Sequence, residues 1–187
     1  MIRIKSSPYL IPKPVALIGA LVDNKPNFFT VADICTSGYN PPRFIISSGK
    51  THYTNKGIIE NKAFSVNIPS HKLIVETDYC GIISGKKINK GNIFEVFYGE
   101  EIKTLPMIKK APITHACKLV KIIDFKETHY LFIGEIVESY VAEDCLKGSI
   151  PNIEKVSPFT WFYDNYYRKV GEILGKAYKI GKEFQKK

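Results

Sequence analysis

A chain of 187 residues, 44% hydrophobic and 12% aromatic, carries enough apolar surface for one core, which excludes an intrinsically disordered protein and makes a single domain over 1–187 the expectation. Its net charge of +9, from 27 Lys and Arg against 18 Asp and Glu, admits nucleic acid, an anionic membrane or a phosphorylated small molecule as partner; the lysines are scattered without a long basic run, as on a solvated surface. No C-x-x-C pair links the four cysteines, no apolar stretch approaches the roughly 20 residues of a membrane span, and "MIRIKSSPYLIPKP" lacks the apolar centre of a signal peptide, so free thiols and a cytoplasmic location are expected.

In chain order, "PVALIGALVD" (14–23) is apolar, "DNKPN" is rich in turn formers and "FFTVADIC" is again strand-like, a pattern that predicts a hairpin. "PPRFIISS" (41–48) and "AFSVNIPS" (63–70) supply two more strands, the second alternating Phe64, Val66 and Ile68 with Ser65 and Asn67. Between them "THYTNKGIIENK" predicts a short helix with Thr51 or Thr54 as N-cap and Ile58 and Ile59 toward the core. "SHKLIVETDYCGIISG" has helical spacing, and "KKINKGNIFEV" reads as a loop entering an extended segment.

"ACKLVKIIDF" (116–125) and "HYLFIGEIVESYVA" (129–142), joined by "KET", predict a long hairpin. Strands at both ends without regular strand–helix alternation favour a mainly β, barrel-like fold with peripheral helices (α+β, Greek-key-like) over a doubly wound one. The end of the chain places Tyr163, Tyr166, Tyr167, Val170, Ile173 and Leu174 at helical spacing, which predicts a helical extension over about 163–187.

The stretch "SSGKTHYT" (47–54) sets hydroxyls, an ammonium and a helix amino terminus together, the donor set that suits a phosphate. It is not a Walker A loop, because Phe44 stands where that motif needs glycine. Taken alone, the stretch reads more simply as a helix capped by Ser48, Thr51 and Thr54 beside a solvated Lys50.

Its neighbours bring in a resemblance. "NKPNFFTVADICTSGYNPPRFIISSGKTHYTNKGIIENKAFSVNIPS" resembles the flavin reductase-like family, with its Asn-x-x-Thr-x-Ala strand, Pro-Pro turn, Ser-bearing loop and Phe-x-Val-Asn strand. "TDYCGIISGKKINK", "ETHYLFIGEIVE" and "YYRKVGEILG" continue it through most of the chain, closest to the flavoredoxin-like branch. There are departures: Glu-Thr precedes His129 where the family has Gly-Asp, and Asp33 stands where some relatives carry an aromatic residue.

The resemblance implies an FMN-binding split β-barrel, a homodimer, and electron transfer between a nicotinamide (NAD(P)H) or redox-protein donor and flavin. It assigns Asn27, Thr30, Val31 and Ala32 to the flavin-contacting strand, with backbone N–H groups of the last three on the ring's carbonyl edge. Ser47, Ser48, Lys50 and Thr54 fall to the phosphate, Lys90 to a lysine that reaches the flavin, and His129 to the donor pocket as the catalytic candidate. Phe162 or Trp161 would close the ring pocket. Asn67 is included, although a side chain satisfying its own backbone neighbours is the plainer reading.

Cys80 reads as structural, since no neighbour would lower its pKa. His52, His71 and His115 lack metal-ligand spacing, so no metal is expected. An FMN-dependent carrier without enzymatic activity is one alternative. A nucleic-acid-binding barrel, motivated by the charge and the tyrosines, is the more distant one, and neither nucleic acid nor membrane is the expected partner.

Overall fold

The computed structural model describes residues 1–186. Strands β1 (Lys13–Pro14), β2 (Ala16–Val22), β3 (Lys25–Val31), β4 (Ile34–Tyr39) and β5 (Pro42–Gly49) lead to helix α1 (Thr54–Asn61), β6 (Ala63–Ile68) and helix α2 (Ile74–Ile82). Short strands β7 (Val96–Tyr98) and β8 (Pro106–Ile108) precede the long β9 (Ile113–Phe125) and β10 (His129–Val141). The chain then runs through β11 (Leu146–Lys147), β12 (Ile150–Pro151), helix α3 (Ile153–Val156), β13 (Phe159–Trp161) and β14 (Tyr167–Lys169).

One antiparallel sheet of seven strands, ordered β3-β2-β6-β9-β10-β5-β4, organises the molecule. The β2–β3 hairpin turns on Asp23 and Asn24, both at positive φ (51° and 60°), the geometry of a two-residue turn between twisted strands and one that Asp and Asn adopt at low cost. The sheet curls until strands from both of its ends share one core. Ile18 of β2, Phe29 of β3, Ile46 of β5, Phe64 of β6 and Phe132 of β10 lie in a single buried cluster with Ile58 of α1. Just past β3, the Asp33 carbonyl accepts a 2.8 Å bond from Ser47 N on β5. The architecture is therefore the mainly β barrel with peripheral helices that strands at both ends of the chain, without regular strand–helix alternation, predict.

Helix α1 lies against β2 at backbone distance: a Cβ on Gly57 would stand 2.0 Å from the Leu21 oxygen, which also accepts a 2.9 Å bond from Asn61 Nδ2. Its N-cap is Tyr53, which makes no side-chain capping bond, rather than Thr51 or Thr54. Thr54 is instead buried in the first turn, and its hydroxyl is engaged by another strand.

Among the described residues the predicted terminal helix over about 163–187 is not formed; residue 187 lies outside them. Residues 167–169 are strand β14, paired with β13 in a second sheet ordered β1-β13-β14, and a 3₁₀ segment follows only at Ile180–Lys186. Aromatic residues suit a strand better than a helix, and Gly171 and Gly175 each weaken a helix by about 1 kcal/mol. The helical spacing of Tyr166, Val170, Ile173 and Leu174 leads to no buried stripe; all four are exposed. Among the described residues no helix is long and apolar enough to cross a membrane, and the four cysteines are unpaired.

Candidate functional site

A cleft runs along β3 beneath α2. It consists of two cavities of about 260 and 250 Å³ that meet at Thr30 and Gly81. Helix α2 is tied over the strand by a bond from Thr30 Oγ1 to the Thr77 carbonyl.

At one end stand Asn27, Thr54 and Lys90. Asn27 and Thr54 are almost fully buried, and Asn27 Nδ2 donates to Thr54 Oγ1 at 2.7 Å. An oxygen that accepts from Asn27 keeps its own proton to donate, so the Thr54 hydroxyl remains available as a donor. The loop after α2 packs directly on Asn27: a Cβ on Gly85 would stand 2.2 Å from Asn27 Oδ1, and only glycine fits there.

Lys90 is 3% exposed. Its ammonium donates one bond, 2.7 Å, to the Cys80 carbonyl, and among the described residues no carboxylate forms an ion pair with it. Burial holds its pKa below the ordinary lysine value. A buried cation with two donors unspent and no counter-ion is costly unless an anion completes it.

His52, which sequence reasoning had set aside, forms part of the same wall. Its ring packs edge-on against Phe29 at 4.7 Å, and partial desolvation, followed by the charges of Lys90 and His129, lowers its pKa although the residue keeps an exposed edge.

At the other end Ala32, Trp161 and Tyr167 line the second cavity with Lys13 and Asp33. Trp161 is positioned by β13, which pairs with β1 so that Lys13 lies opposite Trp161.

Several predicted site residues are turned elsewhere. Ser48 is fully buried and donates to Asn55 Oδ1 at 2.7 Å, a link that ties β5 to α1. Ser47 joins the Asp33 carbonyl through its backbone and lines neither cavity. Lys50 Nζ is committed to Asp124 (2.5 Å) and the Lys126 carbonyl (3.0 Å) at the β9–β10 turn. Asn67, fully buried, donates to the Leu17 carbonyl and Ser65 Oγ and accepts from Ile108 N, so its bonding capacity serves the sheet.

Val31 belongs to the core. His129 is exposed, holds Thr128 Oγ1 at 2.8 Å, and lines neither cavity. Phe162 faces the Arg168 guanidinium at 4.6 Å, and its neighbour Trp161 takes the place at the cleft. Of the predicted set, Asn27, Thr30, Thr54 and Lys90 converge in one cavity, and Thr30 and Ala32 in the other. Cys80 also reaches the cleft, but burial pushes its thiol up to about 11, so it stays protonated near neutral pH.

Residues 9–169 match the family model described as a flavin reductase like domain. The flavoredoxin of Methanosarcina acetivorans is 40% identical, with 98% of each chain covered and a TM-score of 0.95. The flavoredoxin of Desulfovibrio vulgaris (Miyazaki F) is 31% identical, covering 97% of this chain and 99% of that one, with a TM-score of 0.87. A protein of Shewanella frigidimarina assigned as a flavin reductase with split barrel domain shares the fold at 17% identity, covering 89% of this chain and 86% of that one, with a TM-score of 0.79. Among curated sequences, an uncharacterised protein of Aeropyrum pernix is 23% identical over 128 residues, 67% of this chain; that stretch is 48% of its length, so the chain spans about half of the relative it matches.

Proposed function

The chain belongs to the flavin reductase-like domain family, and from that premise we propose that it holds FMN in the cleft along β3 and serves as a flavin-dependent oxidoreductase. The observation that carries the reading is Lys90, a buried ammonium that lacks a counter-ion among the described residues, at the end of the cleft where Thr54 keeps a donor free. A ribityl phosphate supplies the missing negative charge, and charge-assisted bonds to it are the strong ones. Trp161 at the far end offers an aromatic wall for the ring.

Bound FMN supplies the redox chemistry, accepting electrons from one partner and yielding them to another. The residues of the chain orient it. Lys90 and Thr54 hold the phosphate, Asn27 fixes the Thr54 hydroxyl, and the loop through Gly85 presses on Asn27 to keep that donor in place. Helix α2 covers the middle of the cleft and limits the access of water, and His52 adds a neutral wall that does not repel an incoming donor. His129 belongs to the rim in this reading, without an acid–base role.

Two modes follow from it. The similarity to two flavoredoxins favours an electron carrier with tightly held FMN; the family's description as a flavin reductase like domain favours a reductase, for which flavin would be a diffusible substrate and NAD(P)H the proposed donor. Steady-state NADH oxidation with added FMN separates them: turnover of free flavin marks the reductase, and none marks the carrier.

The reading extends to a homodimer, for which the exposed Val120, Ile123 and Phe125 of β9 and Val137 of β10 offer an apolar face. A cytoplasmic location fits four unpaired thiols. Light scattering reads the first of these. The experiment that tests the whole is the visible spectrum of the purified protein followed by chromatography of the heat-released chromophore. Flavin absorbance with FMN released supports the proposal, and a colourless protein that takes up no added FMN overturns it.

A further inference from the structure

The far end of the cleft holds a second buried lysine. Lys13 is 8% exposed, and its ammonium lies 2.6 Å from Asp33 Oδ1, with the rings of Trp161 and Tyr163 at 5.8 and 5.2 Å from their centroids. Lys13 and Asp33 are 20 residues apart; the pairing of β1 with β13 brings the lysine onto the cavity that begins at Thr30 and Gly81. Unlike Lys90 it needs no anion to be stable, because the ion pair and the aromatic faces already hold it. Burial is the largest influence on its pKa and lowers it, but the bonds to Asp33 and Tyr163 outweigh it, so the ammonium titrates above the ordinary lysine value.

We propose that the Lys13–Asp33 pair sets the redox balance of the bound flavin, with Lys13 favouring the reduced form and Asp33 moderating it. The inference rests on the FMN reading above. With the phosphate at Lys90, the ring would reach past Thr30 and Gly81 toward the cavity that Lys13 lines. Reduction by a dihydronicotinamide moves a hydride, two electrons and one proton, onto a neutral ring; the donor leaves as its oxidised cation and the ring carries one negative charge. A fixed ammonium in a partly dry cavity stabilises that charge, and a nearby carboxylate opposes it.

The test is the ratio of affinities for reduced and oxidised FMN, obtained from the midpoint potential of the bound cofactor in dithionite titrations. Lys13→Met, which keeps the aliphatic stem, is expected to lower the ratio at least tenfold, about 30 mV to the negative for a two-electron couple. Lys13→Arg, which keeps the charge, stays near wild type. Asp33→Asn, at a side chain that is 56% exposed and that keeps an oxygen to accept from Lys13, shifts the ratio the other way.

Equal potentials in wild type and Lys13→Met, or equal shifts in the Met and Arg variants, overturn the tuning role and leave FMN binding intact. If neither Lys13 variant folds, an unchanged potential in Asp33→Asn overturns it. Wild-type protein that binds no FMN overturns the cofactor reading and this inference together.

Discussion

The two ends of the cleft each bury a lysine, and the two lysines are opposite in kind. Lys13 is paired with a carboxylate, lies over two aromatic rings and has its pKa raised; Lys90 touches one backbone carbonyl, has no carboxylate partner among the described residues and has its pKa lowered. A paired buried cation is complete without a ligand, whereas an unpaired one is complete only with an anion. Equal burial therefore says little about role, and the partner list says most of it.

The largest expected effect breaks the Lys90 side of this contrast. Lys90→Met should weaken FMN binding by about 1.5–3 kcal/mol, roughly tenfold to a hundredfold. The ligand-free protein should melt no lower than wild type, since an uncompensated charge has been removed from the interior. Fluorescence quenching of FMN and a thermal melt read the two quantities, and unchanged affinity would remove the phosphate from this end.

Next is Thr54→Val, expected to cost about 0.5–1.5 kcal/mol in FMN affinity, roughly two- to tenfold, by taking away one neutral donor. Here the melt should drop as well, because Asn27 Nδ2 loses its buried acceptor. A loss equal to that of Lys90→Met would mean that charge is not the dominant contribution.

Alkaline titration sharpens the contrast itself, because the two lysines contribute with opposite sign. Lys90, with a lowered folded pKa, destabilises the ligand-free fold while protonated, so its contribution to stability improves as pH rises toward the ordinary lysine value near 10.4. Lys13, with a raised folded pKa, contributes stability that is fully present below that value and is lost above it. Urea midpoints between pH 8 and 11 should therefore diverge: relative to wild type, Lys90→Met removes the gain and Lys13→Met removes the loss.

The smallest effect is at the wall between them. His52 has a lowered folded pKa, so the unfolded chain binds more protons as pH falls below about 6.5, and stability declines there. His52→Gln should flatten that part of the profile, and an unchanged slope would place the proton uptake elsewhere, His115, whose pKa desolvation also lowers, being the other candidate.

Much of the barrel was legible in the chain. Alternation and short polar turns mark the β2–β3 and β9–β10 hairpins because those signals are local. Asn27, Thr30, Thr54 and Lys90 were reached through the resemblance, and the fold brings them together. What strand direction decides was not legible. Ser48 and Lys50 look like phosphate donors in "SSGKT", yet one points into the α1 contact and the other across to the β9–β10 turn.

Asn67 looked polar-faced, but its strand is buried on both faces and the side chain serves as internal bracing. The helical spacing of the terminal tyrosines arose within a segment that pairs as a strand. Lys13 had no local signal at all, because its partners come from the β3–β4 connection and from β13, at the far end of the chain.

One contact noted in the fold has a reach beyond packing. Gly57 sits one turn after Thr54 on α1, and its backbone rests on the Leu21 carbonyl with no room for a methyl group. A larger side chain at residue 57 must push α1 and β2 apart, and the expected consequence is that the first turn of the helix shifts and Thr54 moves relative to Asn27. On the FMN reading proposed above, cofactor affinity would then be governed from a position outside the cleft, and variation at residue 57 would tune occupancy without altering a residue that lines it.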